Sequence, residues 1–220
     1  MLRRTVRRLV HGSQAGVFQP FHDTMLDRYP EIFDFVRTGL TDRPTPRLLS
    51  VGCSTGQELV TLKGYLPRAT VHGVDVNRDN AGAARALVRR SGLRGIQVST
   101  TGDLSGLRQR SCDAVFAMAV LRHGDLSFKT LDTCRPLLYF SRFEDFVDKM
   151  TRLRREDGLL VVQASNFRVC DTRVAAHLEP VFSIDNGHYH PQLPLYGPDD
   201  RRLDVPSYDE VVFRRVQQRD

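Results

Sequence analysis

Apolar residues in this chain fall in two patterns. Leu48-Leu49-Ser50-Val51, Val71-His72-Gly73-Val74, Ile96-Gln97-Val98-Ser99, Cys112 to Val120 and Leu159 to Ala164 are short, nearly continuous apolar runs. Runs of this kind read as strands, and the most apolar, Cys112 to Val120, as a central strand buried on both faces. Between them the apolar positions recur every three or four residues: Leu59, Val60 and Leu62; Ala81, Ala84, Leu87 and Val88; Phe143, Phe146, Val147, Met150 and Leu153. These predict helices over about Gly56 to Tyr65, Arg78 to Arg90 and Phe140 to Arg155. Another stripe, Met25, Leu26, Tyr29, Ile32, Phe33 and Val36, predicts an amphipathic helix over Asp23 to Val36, packed on the sheet and interrupted near Pro30. Ser91-Gly92 and Asp157-Gly158 are expected to stop the helices they follow, and residues 124–140 to form a long connection. Strand and helix alternate, which predicts a doubly wound, mostly parallel sheet. Val181 to Ile184 and Tyr208 to Val216 are expected to close it as an antiparallel pair.

The first strand runs into Gly52-Cys53-Ser54-Thr55-Gly56-Gln57-Glu58 and then into a helix. Strand, glycine turn and helix open a nucleotide-binding βαβ unit, because glycines let the backbone approach a ligand. The second strand ends on Asp75, where a carboxylate can accept both hydroxyls of a ribose. The turn lacks Gly-x-Gly-x-x-Gly, and no Gly-Lys-Ser or Gly-Lys-Thr occurs, so neither the dinucleotide fingerprint nor a Walker phosphate loop is present.

The turn resembles motif I of the class I S-adenosylmethionine-dependent methyltransferases. Gly52 to Glu58 is especially similar to the version in chemotaxis-receptor methyltransferases, which also places Cys, Ser and Thr between its glycines. The resemblance covers residues 47–165. It implies a Rossmann-like, doubly wound, seven-stranded sheet with one antiparallel strand near the C-terminus, and S-adenosylmethionine as cofactor. It further implies that Gly52, Cys53, Ser54, Thr55, Gly56 and Glu58, Asp75 with Val76, Asp103 with Leu104, and Met118 contact that cofactor. Asp103 would accept from the adenine amino group; its local alternative is a turn former or helix cap. Two departures stand out. Ser50 occupies a position where most members carry an acid, and Ser54 replaces the middle glycine. Glu58, or Gln57 beside it, would then hold the cofactor's ammonium. Glu156-Asp157-Gly158 stands where the family has Pro-Gly-Gly. Gln14, Phe18 and His22 fall in the segment that often closes over the cofactor in this family.

Composition narrows the picture. The 220 residues suit a single domain, with a helical or lid segment over 1–40, a cofactor-binding core over 47–165, and closing strands with an acceptor loop over 166–220. No apolar run reaches the ~20 residues of a membrane span. Cys53, Cys112, Cys134 and Cys170 form no Cys-x-x-Cys pair, so neither a metal nor a disulfide framework is expected, and the cytoplasm is the expected location. The net charge of +6 comes from 29 Arg and 3 Lys against 26 acids, but the basic residues are scattered with few aromatics among them. Nucleic acid is therefore not the expected partner. The basic, acid-free Met1 to Val10 reads as a first helix rather than a transit peptide.

Methyl transfer to a hydroxyl gains from a base, and His serves near neutral pH. His123 follows the fourth strand, whose end faces the methyl group in the resembling family. His188 and His190 lie two apart, on one side of an extended chain. All three are candidate catalytic residues, with capping or surface roles as alternatives. The expected function is methyl transfer to a small-molecule acceptor, on a hydroxyl oxygen. The alternatives are a protein carboxyl methyltransferase like the chemotaxis enzyme, or a non-catalytic cofactor-binding protein. Pro136-Leu137-Leu138-Tyr139-Phe140 is similar to the chemotaxis family, but the chain is expected to lack that enzyme's N-terminal helical domain.

Overall fold

The computed structural model describes residues 18–19, 24–128 and 131–216. Seven strands form one sheet: β1 Arg47–Val51, β2 Thr70–Asp75, β3 Ile96–Thr100, β4 Cys112–Met118, β5 Arg154–Gln163, β6 Leu178–Ser183 and β7 Glu210–Arg215. Their spatial order is β3-β2-β1-β4-β5-β7-β6. The first five pair in parallel; β7 runs antiparallel to both β5 and β6. The predicted closing pair is thus β6 and β7. The chain leaves β1 toward one edge through β2 and β3, and later returns to its other side with β4, so the switch point lies between β1 and β4.

Strand alternation separates two cores. Leu49, Val51, Val74, Val115 and Ala117 pack against α5, Phe140–Leu153, through Phe143, Phe146, Val147 and Met150. Leu48, Val71, Ala114 and Phe116 face the other way. They meet α1, Pro30–Gly39, and α2, Gln57–Tyr65, through Ile32, Phe33, Val36, Leu59 and Leu62; Ala84 of α3, Arg78–Ser91, joins that layer. Two short helices, α4 Gly124–Ser127 and α6 Asn186–Tyr189, lie in the late connections.

Two local expectations are corrected. The stripe from Asp23 yields a helix only from Pro30, which takes the first-turn position where its missing N–H costs nothing. Asp157-Gly158 does not turn the chain after α5. That helix ends at Leu153, and both residues lie within β5, where the pairing with β4 shifts register between Cys112 and Ala114. Arg154 stabilises this stretch by donating to the carbonyls of Arg155, Glu156 and Gly158.

Candidate active site

The C-terminal ends of β1, β2 and β4 open into a cavity of about 1140 Å3, its mouth included. The turn after β1 forms its floor. Gly52 (φ +71°) and Gly56 (φ +96°) adopt left-handed conformations that suit glycine. The N–H groups of Gly52 and Cys53 both donate to Val74 O, at 2.8 and 3.0 Å, which stitches the turn to β2. A Cβ on Gly52 would come within 2.5 Å of Val120 Cγ2, and one on Gly56 within 3.0 Å of Ala84 Cα. The first glycine therefore keeps the cavity wall open and the second lets α2 and α3 approach. Ser54 (φ +49°) and Ala119 (φ +56°) line the same cavity in the left-handed region without being glycine. Backbone strain of this kind collects at ligand sites.

Asp75 ends β2 against the turn. Its Oδ2 accepts from Ser54 N and its Oδ1 from Asn77 N, both at 2.8 Å, so the carboxylate is fixed and keeps further lone pairs for a ligand. Asn77 then caps α3 by accepting from Asp79 N and Asn80 N. Glu58 projects from the first turn of α2. Its Oε1 is sealed from solvent and has no hydrogen-bond partner. Burial raises its pKa from 4.5 to about 7, while the nearby Ser50 hydroxyl opposes the rise. Ser50 Oγ, also sealed, completes no hydrogen bond of regular geometry with it.

The cofactor candidates divide by position. Gly52, Cys53, Ser54, Glu58, Asp75, Val76, Leu104 and Met118 all line the cavity. Thr55 instead donates to Gln57 Oε1 at 2.7 Å, and Gly56 sits behind the turn against Ala84. Asp103 is exposed: it accepts from Ser105 N and Ser105 Oγ, and Lys149 stands 3.6 Å away. Those bonds hold its pKa below the ordinary carboxylate value, Ser105 being the main cause. Its neighbours Thr101, Gly102 and Leu104 supply the wall there. Phe18 lines the cavity and meets the Phe146 ring edge-on, 5.4 Å between centroids. Gln14, His22 and Met1 to Val10 lie outside the described residues.

The three histidines are not brought together. His123 precedes α4, its Nδ1 accepting from Asp125 N at 3.3 Å. His188 is exposed, because Asn186–Tyr189 is a helical turn capped by Asp185 rather than an extended chain. His190 turns inward. Its Nε2 shares a 2.8 Å hydrogen bond with the hydroxyl of Tyr29, which lines the cavity, and Arg122 Nη1 lies 3.4 Å from its Nδ1. Burial first, and then Arg122 and Arg28, push the His190 pKa down to about 4.

The pattern alone did not reveal Arg28, Tyr29, Ala119 or Val120 as parts of this wall, nor Arg122 beside His190. Tyr29 belonged to an apolar stripe, and no motif surrounds the arginines. Among the described residues no group of three or more His, Cys, Asp or Glu is placed to hold a metal ion, and no helix is long and apolar enough to cross a membrane.

This fold and cavity define a Rossmann-like nucleotide-binding protein of the methyltransferase kind. The methyltransferase domain family matches residues 49–162, just over half of the chain. The chain belongs to that family, whose cofactor is S-adenosylmethionine. Comparison with curated proteins gives no match. Among solved structures, the cyclase SpnF is 18% identical over 74% of this chain and 62% of its own, with a TM-score of 0.54, a likeness of fold. YcgJ of Bacillus subtilis is 14% identical over 61% of this chain and 50% of its own, TM-score 0.46. Geranyl diphosphate C-methyltransferase of Streptomyces coelicolor is 14% identical over 60% and 44%, TM-score 0.44. The chain thus spans about half the length of such structures.

Proposed function

We propose that this chain transfers a methyl group to a small-molecule acceptor, on a hydroxyl oxygen, in the cavity beyond β1, β2 and β4. The observation that carries the reading is the sealed, unpartnered Glu58 Oε1 beside a turn whose glycine leaves no room for a side chain. A buried carboxylate without a partner calls for a cation, and the ammonium of S-adenosylmethionine is one. Asp75 would hold the ribose hydroxyls, Leu104 and Val76 the adenine, and Met118 the sulfur end. The cofactor, when bound, supplies a methyl group on a sulfonium, a leaving group that needs no general acid.

The protein's remaining task is to position the acceptor and take its proton, and positioning supplies the larger share of the rate. Tyr29 presents its hydroxyl at the wall with His190 behind it. Arg122 can only donate, so it favours a bare Nδ1 and a proton on Nε2; in that tautomer the pair orients an acceptor hydroxyl. In the other tautomer Tyr29 passes its proton to Nε2 while taking the acceptor's, and His190 is the base.

Calorimetric titration with S-adenosylmethionine tests the cofactor site. A radiolabelled methyl screen, comparing a metabolite extract with a protein extract, tests the acceptor class. Label confined to protein would replace this reading by carboxyl methylation of a protein. Cofactor binding with no transfer to either extract would favour a non-catalytic binding protein.

A further inference from the structure

Among the described residues, several arginines have carboxylate partners. Arg43 and Arg155 pair with buried Asp113, Arg135 with buried Asp200, Arg168 with Asp171, and Arg173 with Glu144 and Asp145. Arg154 donates through Nη1 to three backbone carbonyls, while its Nε too is sealed without an acceptor. Arg28 and Arg122 pair with no carboxylate among the described residues. Arg28 lines the cavity with its guanidinium carbon 5.3 Å from the Tyr29 ring centroid. Arg122 lies two residues beyond the cavity-lining Val120 and meets His190, the hydrogen-bond partner of the Tyr29 hydroxyl. Its Nη2 donates to Ser127 Oγ at 3.0 Å and its Nη1 faces His190, but its Nε is sealed without an acceptor. Burial keeps the Tyr29 phenol protonated at neutral pH and leaves His190 uncharged. Glu58 forms no ion pair with either arginine.

We propose that Arg28 and Arg122 bind an oxyanion group, a carboxylate or a phosphate, carried by the methyl acceptor. The acceptor is then an anionic small molecule, a conclusion that rests on reading the cavity as the site of transfer. A guanidinium fork recognises a planar oxyanion through two parallel N–H bonds and gains most where water is excluded. Leaving a charged donor enclosed without a counter-charge carries a cost that such a ligand removes. The placement fits orientation of the acceptor: Arg28 lies against the Tyr29 ring and Arg122 against His190, which bonds the Tyr29 hydroxyl, so an anion held between them sets the reacting hydroxyl at a fixed distance along the wall. An anion that engages Arg122 also draws it from His190 Nδ1 and frees the tautomer that serves as base.

The test uses the 220-residue chain with 15N-labelled arginine, saturated with S-adenosylhomocysteine. Sodium acetate and inorganic phosphate are titrated separately at constant ionic strength, with chloride as control, and the arginine Nε–H signals are followed by NMR. Loss of signal in Arg28→Gln and Arg122→Lys assigns them; the lysine keeps a charge at the enclosed position so that the fold is retained. The expected result is a saturable shift of both signals with acetate or phosphate and none with chloride. Arg28→Gln should weaken that binding about tenfold or more and leave calorimetric affinity for S-adenosylhomocysteine unchanged. The anion that binds more tightly names the acceptor's group. No saturable shift with either anion up to about 50 mM, a concentration that would reveal even millimolar binding, overturns the proposal. So does binding that Arg28→Gln leaves intact, which would mark an adventitious ion only. If S-adenosylhomocysteine itself does not bind, the cofactor reading fails, and the same titration without it still judges the arginine pair.

Discussion

On the proposed reading, Glu58 places stability and cofactor binding in opposition, and pH separates them. Its pKa is about 7 in the folded chain against 4.5 when solvated, because burial penalises the charged form. The sign follows from proton counts. Between those two values the folded state holds more protons at this site than the unfolded state, so stability falls as pH rises through the window. The loss levels off above pH 7 at roughly 3 kcal/mol, and below pH 4.5 it vanishes. Glu58→Gln removes the charge and keeps the shape. It should therefore stabilise the ligand-free protein by up to about 3 kcal/mol at pH 8 and change little at pH 4. Urea unfolding of both proteins at the two pH values measures this directly.

Cofactor binding should reverse the preference. A bound ammonium favours the carboxylate, so below pH 7 binding must expel the proton from Glu58. At pH 6.5 the release should approach roughly three-quarters of a proton, and by pH 8.5 it should be near zero. Titration calorimetry in buffers of different ionisation enthalpy counts that proton. Glu58→Gln should abolish the release and weaken S-adenosylhomocysteine binding by about 1.5–3 kcal/mol above pH 7. Equal proton release by both proteins, or unfolding curves whose difference is the same at pH 4 and pH 8, would refute the reasoning.

Three further outcomes follow from the same wall. Asp75→Ala removes the carboxylate fixed by Ser54 N and Asn77 N, and calorimetry should show a loss of about 1.5–3 kcal/mol in cofactor affinity; unchanged affinity would remove Asp75 from the site. Gly52→Ala sets a Cβ 2.5 Å from Val120 Cγ2 at φ +71°, so thermal unfolding should register a loss of at least about 1 kcal/mol, with cofactor binding impaired as Val120 is displaced. His190→Ala should lower turnover about 10²-fold or more with cofactor affinity preserved, whereas His123→Ala should act mainly on stability; the reverse pattern would return the catalytic role to His123.

The centre of the sheet was legible because β1, β2, β4 and β5 are mostly buried on both faces and so appear as apolar runs whatever surrounds them. The apolar runs ending at Val51, Val74, Ser99, Val120 and Ala164 stop within two residues of the observed strand ends. Elements fixed by distant contacts were not legible. α5 has no local side-chain cap; its first N–H is served from sixty residues away, Phe140 N donating to Asp200 Oδ1 at 2.6 Å. Asp157-Gly158 has the composition of a turn, yet it lies inside β5, where the pairing with β4 is interrupted between Arg154 and Leu159 and Arg154 donates to the Gly158 carbonyl. The same distinction runs through the site. Turn and acid are one βα unit apart, so spacing discloses them. The Tyr29–His190 and Arg122–His190 contacts bridge 161 and 68 residues, and no period or motif links those positions. His188 and His190 looked equivalent because alternation was assumed; a single helical turn capped by Asp185 sends one to solvent and the other to Tyr29. On the proposed reading, cofactor recognition is thus built from neighbours in sequence. Acceptor recognition, on the proposed reading, is built from segments that only the fold brings together, so it is the part that can change while the cofactor turn stays the same.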